Sequence, residues 1–594
     1  MRRFIRWFLA PLLALVLLAA GFWVAFPQAA RTVLGRCVLQ YISLRSGGGW
    51  LRGGFTVREN VMVPMRDGVR LATDLYLPQG AGRHPAILVR TPYSKAEGRM
   101  VAEFLAPHGY AVLVQDTRGK HKSEGAFYPF RDEGPDGADF SAWVKRQPWC
   151  NGKIGGFGFS YLGITQWAMA VGNPDVSSIA PTFTTQNPYY SIYRAGAFSE
   201  LTFLHWSLSS YGRFGNWIAP KDVERGYRHF PLAEADDAAA RDIDFYNDWV
   251  RHPEPDAYWR GVSYDHRIGE IRAPAFLVAG WFDLFRDAQF RDFQLIRNGA
   301  AEPARSRTRM LVGPWSHGFF NDNLKNYGIQ PRWLEAIPFE YLRETKAWLD
   351  YTLKGASNGW ERRAAVRAFV LGDNEWRDEE DWPPRGTHDR QFYLRAGGGL
   401  DASAPGAEAG DRFVFDPRNP VPTRGGSHGD RWLAGPADQR EIEKRKDVLV
   451  YSTAPLAEPL LVMGPVKMRL FASSSAPDTD FTAKLVDVFE DGRALILTEG
   501  IVRARYRNGL DRPEPMRPGA VYPFDIDMGH TAVRFGAGHR IRLEVSSSNA
   551  PRFDVNPNTG RPIANERNPV TAEQTVLHRE GAASCLILPV AGRQ

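Results

Sequence analysis

Cysteine is scarce. The 594 residues hold three, Cys37, Cys150 and Cys585. So small and odd a number excludes a disulfide framework and leaves at least one thiol unpaired. Their spacing matches no zinc ribbon and no C-x-x-C redox pair, and no H-E-x-x-H occurs, so no metal site is expected. A G-x-x-x-x-G-K-[ST] phosphate loop is also missing. Dense blocks of Lys and Arg are absent beyond short pieces such as "EKRKD" at 443–447, which read as solvated surface, and the net charge of +7 is small for this length. Nucleic acid is therefore not an expected partner. No repeat of fixed period runs through the chain.

What is present is an ordinary globular composition, 43% apolar and 24% charged, with a generous 18 Trp. The length calls for several domains. The N-terminus stands apart. Arg2, Arg3 and Arg6 precede an uncharged apolar run from 7 to 26. That is about the 20 residues that cross a bilayer as a helix, and it exceeds the usual apolar region of a cleaved signal. The arginines before it place the N-terminus in the cytoplasm and the body outside. Residues 1–30 thus read as an uncleaved signal anchor, with a cleaved signal peptide as the alternative. The expected location is the periplasm or cell envelope, with a tether to the inner membrane.

After a Gly-rich linker, a strand pair over 61–78 opens a βα rhythm. Short apolar runs lie at 85–93, 110–119, 153–160, 177–185, 273–283 and 308–318, with helical stretches between them. This pattern predicts a mostly parallel, buried sheet. The rhythm stops over 190–268, a helical insertion placed where a cap would enter. Residues 361–594 hold many short strand-like pieces separated by turn residues, the pattern of an antiparallel sandwich or jelly roll. The predicted class is α/β: a hydrolase-type domain in two parts (50–189 and 269–360), a helical cap (190–268) and a C-terminal all-β jelly-roll domain (361–594).

In an α/β sheet, ligands sit at the carboxyl ends of the strands. Ser160 follows the third run, Asp283 the fifth and His317 the sixth. The chain order Ser, Asp, His is that of α/β-hydrolases. The chemistry needs these types: a serine hydroxyl is a weak nucleophile until a base takes its proton, histidine can take and return it, and a carboxylate orients the imidazole. The turn itself, "GGFGFSYLG", is irregular. The usual elbow is G-x-S-x-G, but here Leu162 stands at the second glycine position and Gly163 follows it. A dinucleotide turn fails as well, because Tyr161 occupies the third glycine position. The N–H of Tyr161 is one expected oxyanion donor. Tyr93, in "RTPYSK", supports two readings from spacing alone, a second donor or a wall of the pocket.

The set "RTPYSK", "DTRGKHKSEGAF", "QPWCNGKIGGFGFSYLG", "GWFD" and "GPWSHG" resembles the family of cocaine esterase, the X-Pro dipeptidyl-peptidases and the α-amino acid ester hydrolases. Its elbow reads G-x-S-Y-x-G, which matches Gly158, Ser160, Tyr161 and Gly163. The resemblance implies Ser160 as nucleophile, Asp283 and His317 as partners, and the Tyr93 phenol with the Tyr161 N–H as oxyanion hole, with no cofactor. It also implies a departure. Members that bind a substrate ammonium carry acidic residues just after the triad aspartate; here Leu284, Phe285 and Arg286 follow, and Asp287 lies beyond. Trp281, Phe282 and Trp315 suit an apolar acyl pocket, while Trp167 on the elbow helix fits core packing equally well. Asp116 and Arg118 are expected to brace the loop beside the elbow, and His121 to lie at the surface. The expected function is hydrolysis of small-molecule esters or amides through an acyl-enzyme, favouring apolar or aromatic acyl groups. The alternatives are an X-Pro dipeptidyl aminopeptidase and, outside catalysis, an envelope glycan-binding protein with an idle hydrolase domain.

Overall fold

The computed structural model describes residues 54–215, 221–319, 322–329, 339–430 and 432–592. The N-terminal apolar run lies outside the described residues. Among the described residues, no helix is long and apolar enough to cross a membrane.

The first sheet begins with β1 (Phe55–Pro64), β2 (Arg70–Pro78), β3 (His84–Thr91), β4 (Ala111–Asp116), β5 (Cys150–Phe159) and β6 (Val176–Thr182). A two-residue hairpin, β7 (Tyr193–Arg194) and β8 (Ala197–Phe198), stands apart in the cap. The sheet resumes with β9 (Phe276–Phe282), β10 (Arg309–Ser316), β11 (Val366–Val370) and β12 (Glu375–Glu379). The order is β1-β2-β4-β3-β5-β6-β9-β10-β11-β12. From β4 to β11 neighbours run parallel. Every residue of β4 and β9 is buried, which is why "AVLVQD" and "FLVAGWF" read as continuous runs rather than alternations.

The sheet does not stop where the sequence boundary at 361 was drawn. Val366–Ala368 pair with Met310–Val312, and β12 pairs back on β11. The piece "AVRAFVLG", read as the first strand of the sandwich, belongs to the hydrolase sheet. A short apolar strand looks alike in either place, and only its pairing partner decides. Leu371, one residue on, bridges to Val533 of the second sheet, so the two sheets are linked at this point.

The insertion between β6 and β9 carries helices at Glu200–Ser210, Val223–Tyr227, Ala235–Ala239, Asp244–Arg251 and Ala257–Arg260. The helix Asp244–Arg251 buries Phe245, Tyr246, Trp249 and Val250 on one side, the spacing of an amphipathic helix. These side chains share a core with Tyr161 and Ile164 of the elbow helix. The cap is thus packed onto the segment that carries Ser160.

The C-terminal part is a mostly antiparallel sandwich. Its longest strand, Leu460–Ser474, pairs with Tyr522–Phe535, Ala572–Arg579 and Cys585–Val590. Asp480–Val488 and Ala494–Arg503 are buried along their whole length. Polar residues there must be paired. Arg503 lies 2.9 Å from both Asp480 and Asp554, and its guanidinium donates to the carbonyl of Gly196 in the β7–β8 turn at 2.8 Å. Cys150 and Cys585 are both buried and unpaired.

Candidate active site

β5 ends at Phe159 and the helix Tyr161–Ala170 starts immediately after Ser160. Ser160 bridges them with φ 58° and ψ −128°, a region costly for a residue with a side chain and common at nucleophile turns. The glycines around it answer to close contacts. Gly158 has φ +139°, and a Cβ there would lie 2.6 Å from the Cβ of Leu162. At Gly163 a Cβ would lie 2.3 Å from the Cγ2 of Thr184, in the loop after β6. Leu162 therefore covers Gly158, and the tight passage falls one residue later. This is the physical reason for the displaced glycine.

β9 delivers Asp283 and β10 delivers His317 to the same sheet end. His317 Nε2 lies 3.0 Å from Ser160 Oγ, and His317 Nδ1 lies 2.6 Å from Asp283 Oδ2. The Asp283 side chain is wholly buried, and its second oxygen accepts from the N–H of Phe285 at 2.8 Å. The rings of Phe285 and Phe183 flank His317, with centroids 5.7 and 6.1 Å away.

Tyr93 follows β3. Its phenol oxygen accepts from the indole N–H of Trp206 at 2.9 Å. Burial pushes its pKa up to about 12, against hydrogen bonds from Trp206 and Ser160 that pull the other way. The phenol thus stays protonated, as a donor must. The N–H of Tyr161 opens the elbow helix, where N–H groups have no intrahelical acceptor. The Tyr161 ring stacks on Trp206, and its phenol is buried. It donates to Glu133 at 2.8 Å and accepts from the N–H of Phe130 at 2.9 Å. Glu133 in turn sits 2.9 Å from Arg90 of β3, and burial raises its pKa. One buried network thereby joins the strand before Tyr93 to the helix after Ser160. In the neighbouring loop, Asp116 accepts from the N–H of Lys95 at 2.7 Å, and Arg118 pairs with Asp136 and Asp67.

Three residues assigned to the substrate pocket from sequence stand elsewhere. Trp281 is 0% exposed, stacks on Phe290 at 5.9 Å and donates its indole N–H to Phe369. Phe282 is equally buried, and Trp315 folds back over Gly313 against Phe183, Phe319 and Trp376. They pack the core, because strands buried on both faces turn aromatic residues inward on either side. Trp167 is likewise core. Trp206 and Phe285 take the places beside Tyr93 and His317. The cap position of Trp206 carries no strand-end signal, so sequence reasoning missed it; Phe285 was visible only as a departure from an acidic pattern. Among the described residues, no group of three or more His, Cys, Asp or Glu could hold a metal ion.

Comparison with known proteins agrees in extent as well as in kind. Residues 67–319 match the family model of X-Pro dipeptidyl-peptidase (S15 family), and residues 358–587 match that of the X-Pro dipeptidyl-peptidase C-terminal non-catalytic domain. The chain is 40% identical over 586 residues to the cocaine esterase of Rhodococcus sp. (strain MB1 Bresler), covering 91% of this chain and 100% of that one. Among solved structures, an aminopeptidase from a marine sediment archaeon, Thaumarchaeota archaeon, superposes with TM-score 0.80 at 27% identity, over 91% of this chain and 97% of that one. An α-amino acid ester hydrolase superposes with TM-score 0.78 at 27% identity, over 90% and 96%. Likeness that spans both the α/β domain and the sandwich leaves one conclusion: the chain belongs to the S15 family, and it is a serine hydrolase of ester or amide bonds.

Proposed function

We propose that the protein is a carboxylic-ester hydrolase working through an acyl-enzyme, with Ser160 as nucleophile, His317 as proton carrier and Asp283 as its orienting partner. The observation that carries this reading is the bridge of His317, 3.0 Å from Ser160 Oγ on one side and 2.6 Å from buried Asp283 on the other. His317 takes the serine proton as Oγ attacks the carbonyl carbon, and it returns that proton to the leaving alkoxide. Asp283 stabilises the imidazolium formed between these events. The developing oxyanion is held by the Tyr93 phenol and the Tyr161 N–H, donors already in place before the reaction. Water then repeats the sequence on the acyl-enzyme.

An apolar or aromatic acyl group is the favoured substrate portion. Phe183 and Phe285, whose rings flank His317, support this. Dipeptidyl-peptidase action requires a partner for a free ammonium, and Leu284 and Phe285 supply none. A fluorophosphonate probe tests the nucleophile: wild type takes the label and Ser160→Ala does not. Equal labelling of both would overturn the assignment of Ser160, and labelling of neither would favour an idle domain. A panel of p-nitrophenyl esters against Gly-Pro-p-nitroanilide tests the bond class, with fast turnover of the anilide alone deciding against esters.

The same reading keeps an exported body tethered by the N-terminal apolar run. Full-length protein is expected in the membrane fraction, and a chain begun after residue 30 in the soluble one. Equal partition of the two would remove the tether.

A further inference from the structure

A small cleft lies where the cap, the loop after β9 and the sandwich meet. Leu284 lines it and directly follows Asp283. Thr202 lines it too, one helical turn before Trp206 on Glu200–Ser210. The cleft therefore shares supporting elements with the triad: Leu284 packs in the same apolar cluster as Tyr93 and Trp206.

Its polar wall carries cationic and neutral donors beside hydroxyls and the Asp287 carboxylate. His428 is 2% exposed, and its Nδ1 accepts from the N–H of Asp430 at 3.2 Å. The proton must then sit on Nε2, which is buried and makes no well-formed hydrogen bond, although the Gly425 backbone lies close enough to act on the ring. Arg552 is 5% exposed, and its Nε also lacks an acceptor. Leaving such donors unmet is costly in a folded interior.

The fixed charges around the cleft do not balance. Three buried or largely buried guanidiniums, Arg194, Arg286 and Arg552, face two carboxylates. Asp287 is claimed by Arg194 and by Arg286 at 2.8 Å, and it also accepts from the N–H of His530 at 3.0 Å. Glu499 lies 2.7 Å from Arg552 and accepts from the N–H of Ser427 at 2.9 Å. Asp430 and Asp527 stand nearer to solvent, where water screens them. Burial pulls Arg552 down to about 10, and Arg194 and Arg286 add to that pull against Glu499. Among the buried groups the guanidiniums thus outnumber the carboxylates by one, while Asp430 and Asp527 act on the cluster from nearer the surface.

Resting on the ester-hydrolase reading above, we propose that this cleft is a substrate subsite for a carboxylate, so that the enzyme prefers esters carrying a second, anionic group held by Arg552 and His428. A carboxylate supplies acceptors for both donors and a charge opposite to the buried excess, and such charge-assisted bonds are the strong ones.

Two matched series test it. One holds p-nitrophenyl hemiesters of succinic, glutaric and adipic acid against the same esters with the free carboxylate replaced by a primary amide. The other holds acetate esters of hydroxybenzoic acid against those of hydroxybenzamide, which moves the charge to the alcohol side. In at least one series the carboxylate form is expected to have a kcat/KM about tenfold above the amide, mostly through KM, the gap narrowing with salt. Arg552→Met should bring that ratio close to one. If that variant does not fold, His428→Leu should lower the ratio by about threefold or more. An amide as good as the carboxylate in both series overturns the subsite, as does a ratio unchanged in the variants. Fluorophosphonate labelling of Ser160 reports separately on the hydrolase reading, so the two can fail independently.

Discussion

Tyr93 shows how one side chain acquires a role from its surroundings. A phenol in water is a modest donor that ionises near pH 10. Burial here pushes it up to about 12, and Trp206 donates to its oxygen, so the phenol keeps the proton it would offer to an oxyanion. If it stabilises the oxyanion, Tyr93→Phe should lower kcat by about a hundredfold or more while KM moves by less than about threefold. Steady-state kinetics on the preferred p-nitrophenyl ester reads both constants. A raised KM with unchanged kcat would instead mark Tyr93 as a wall of the pocket.

The elbow is the element whose geometry everything else serves. A strand and a helix meet at a residue with positive φ, and the turn closes only where the chain can pass without a side chain. Gly163 marks that passage against Thr184. Gly163→Ala forces a methyl group into the buried threonine, an overpacking that costs about 1–3 kcal/mol. Because the strain falls on the first turn of the elbow helix, it should also displace Ser160 and reduce turnover. Urea denaturation with kinetics on the same preparations checks both effects. Adding Thr184→Gly removes the opposing Cβ and is expected to recover much of the activity; no recovery would mean the contact is not what excludes a side chain at Gly163.

On the scale of the whole molecule, the sandwich holds the cap. Arg503 reaches from the sandwich to the Gly196 carbonyl in the β7–β8 turn while pairing with Asp480 and Asp554. Burial raises Asp480 to about 6 even with Arg503 beside it. Arg503→Met would leave two buried carboxylates without their cation, a loss of about 3–5 kcal/mol. The sign of its pH dependence follows from linkage. Unpaired buried carboxylates have folded pKa values above the unfolded value of about 4, so the deficit should be small near that pH and grow as pH rises through their folded values. Unfolding measured across pH reads this directly. A deficit that is flat with pH would show that the arginine acts by packing rather than by charge.

By itself the sequence determined the parts that depend on local chemistry. Continuous apolar runs announced the parallel strands, and the residues just past three of them, Ser160, Asp283 and His317, stand together at one sheet end. The displaced glycine was legible too, though its cause, the approach of Thr184, was not. Only the tertiary structure decided what depends on partners far along the chain. β11 and β12 join the hydrolase sheet because Val366–Ala368 found Met310–Val312, a choice that a short apolar strand does not encode alone. Trp281, Phe282 and Trp315 went to the core, since in strands covered on both faces alternation carries no inside or outside. Trp206 came to Tyr93 from the cap, and Arg552 came to His428 beside Leu284, across sequence separations that no motif spans. Backbone pattern is a property of neighbours in the chain; a site's walls and its charge balance are set by neighbours in space.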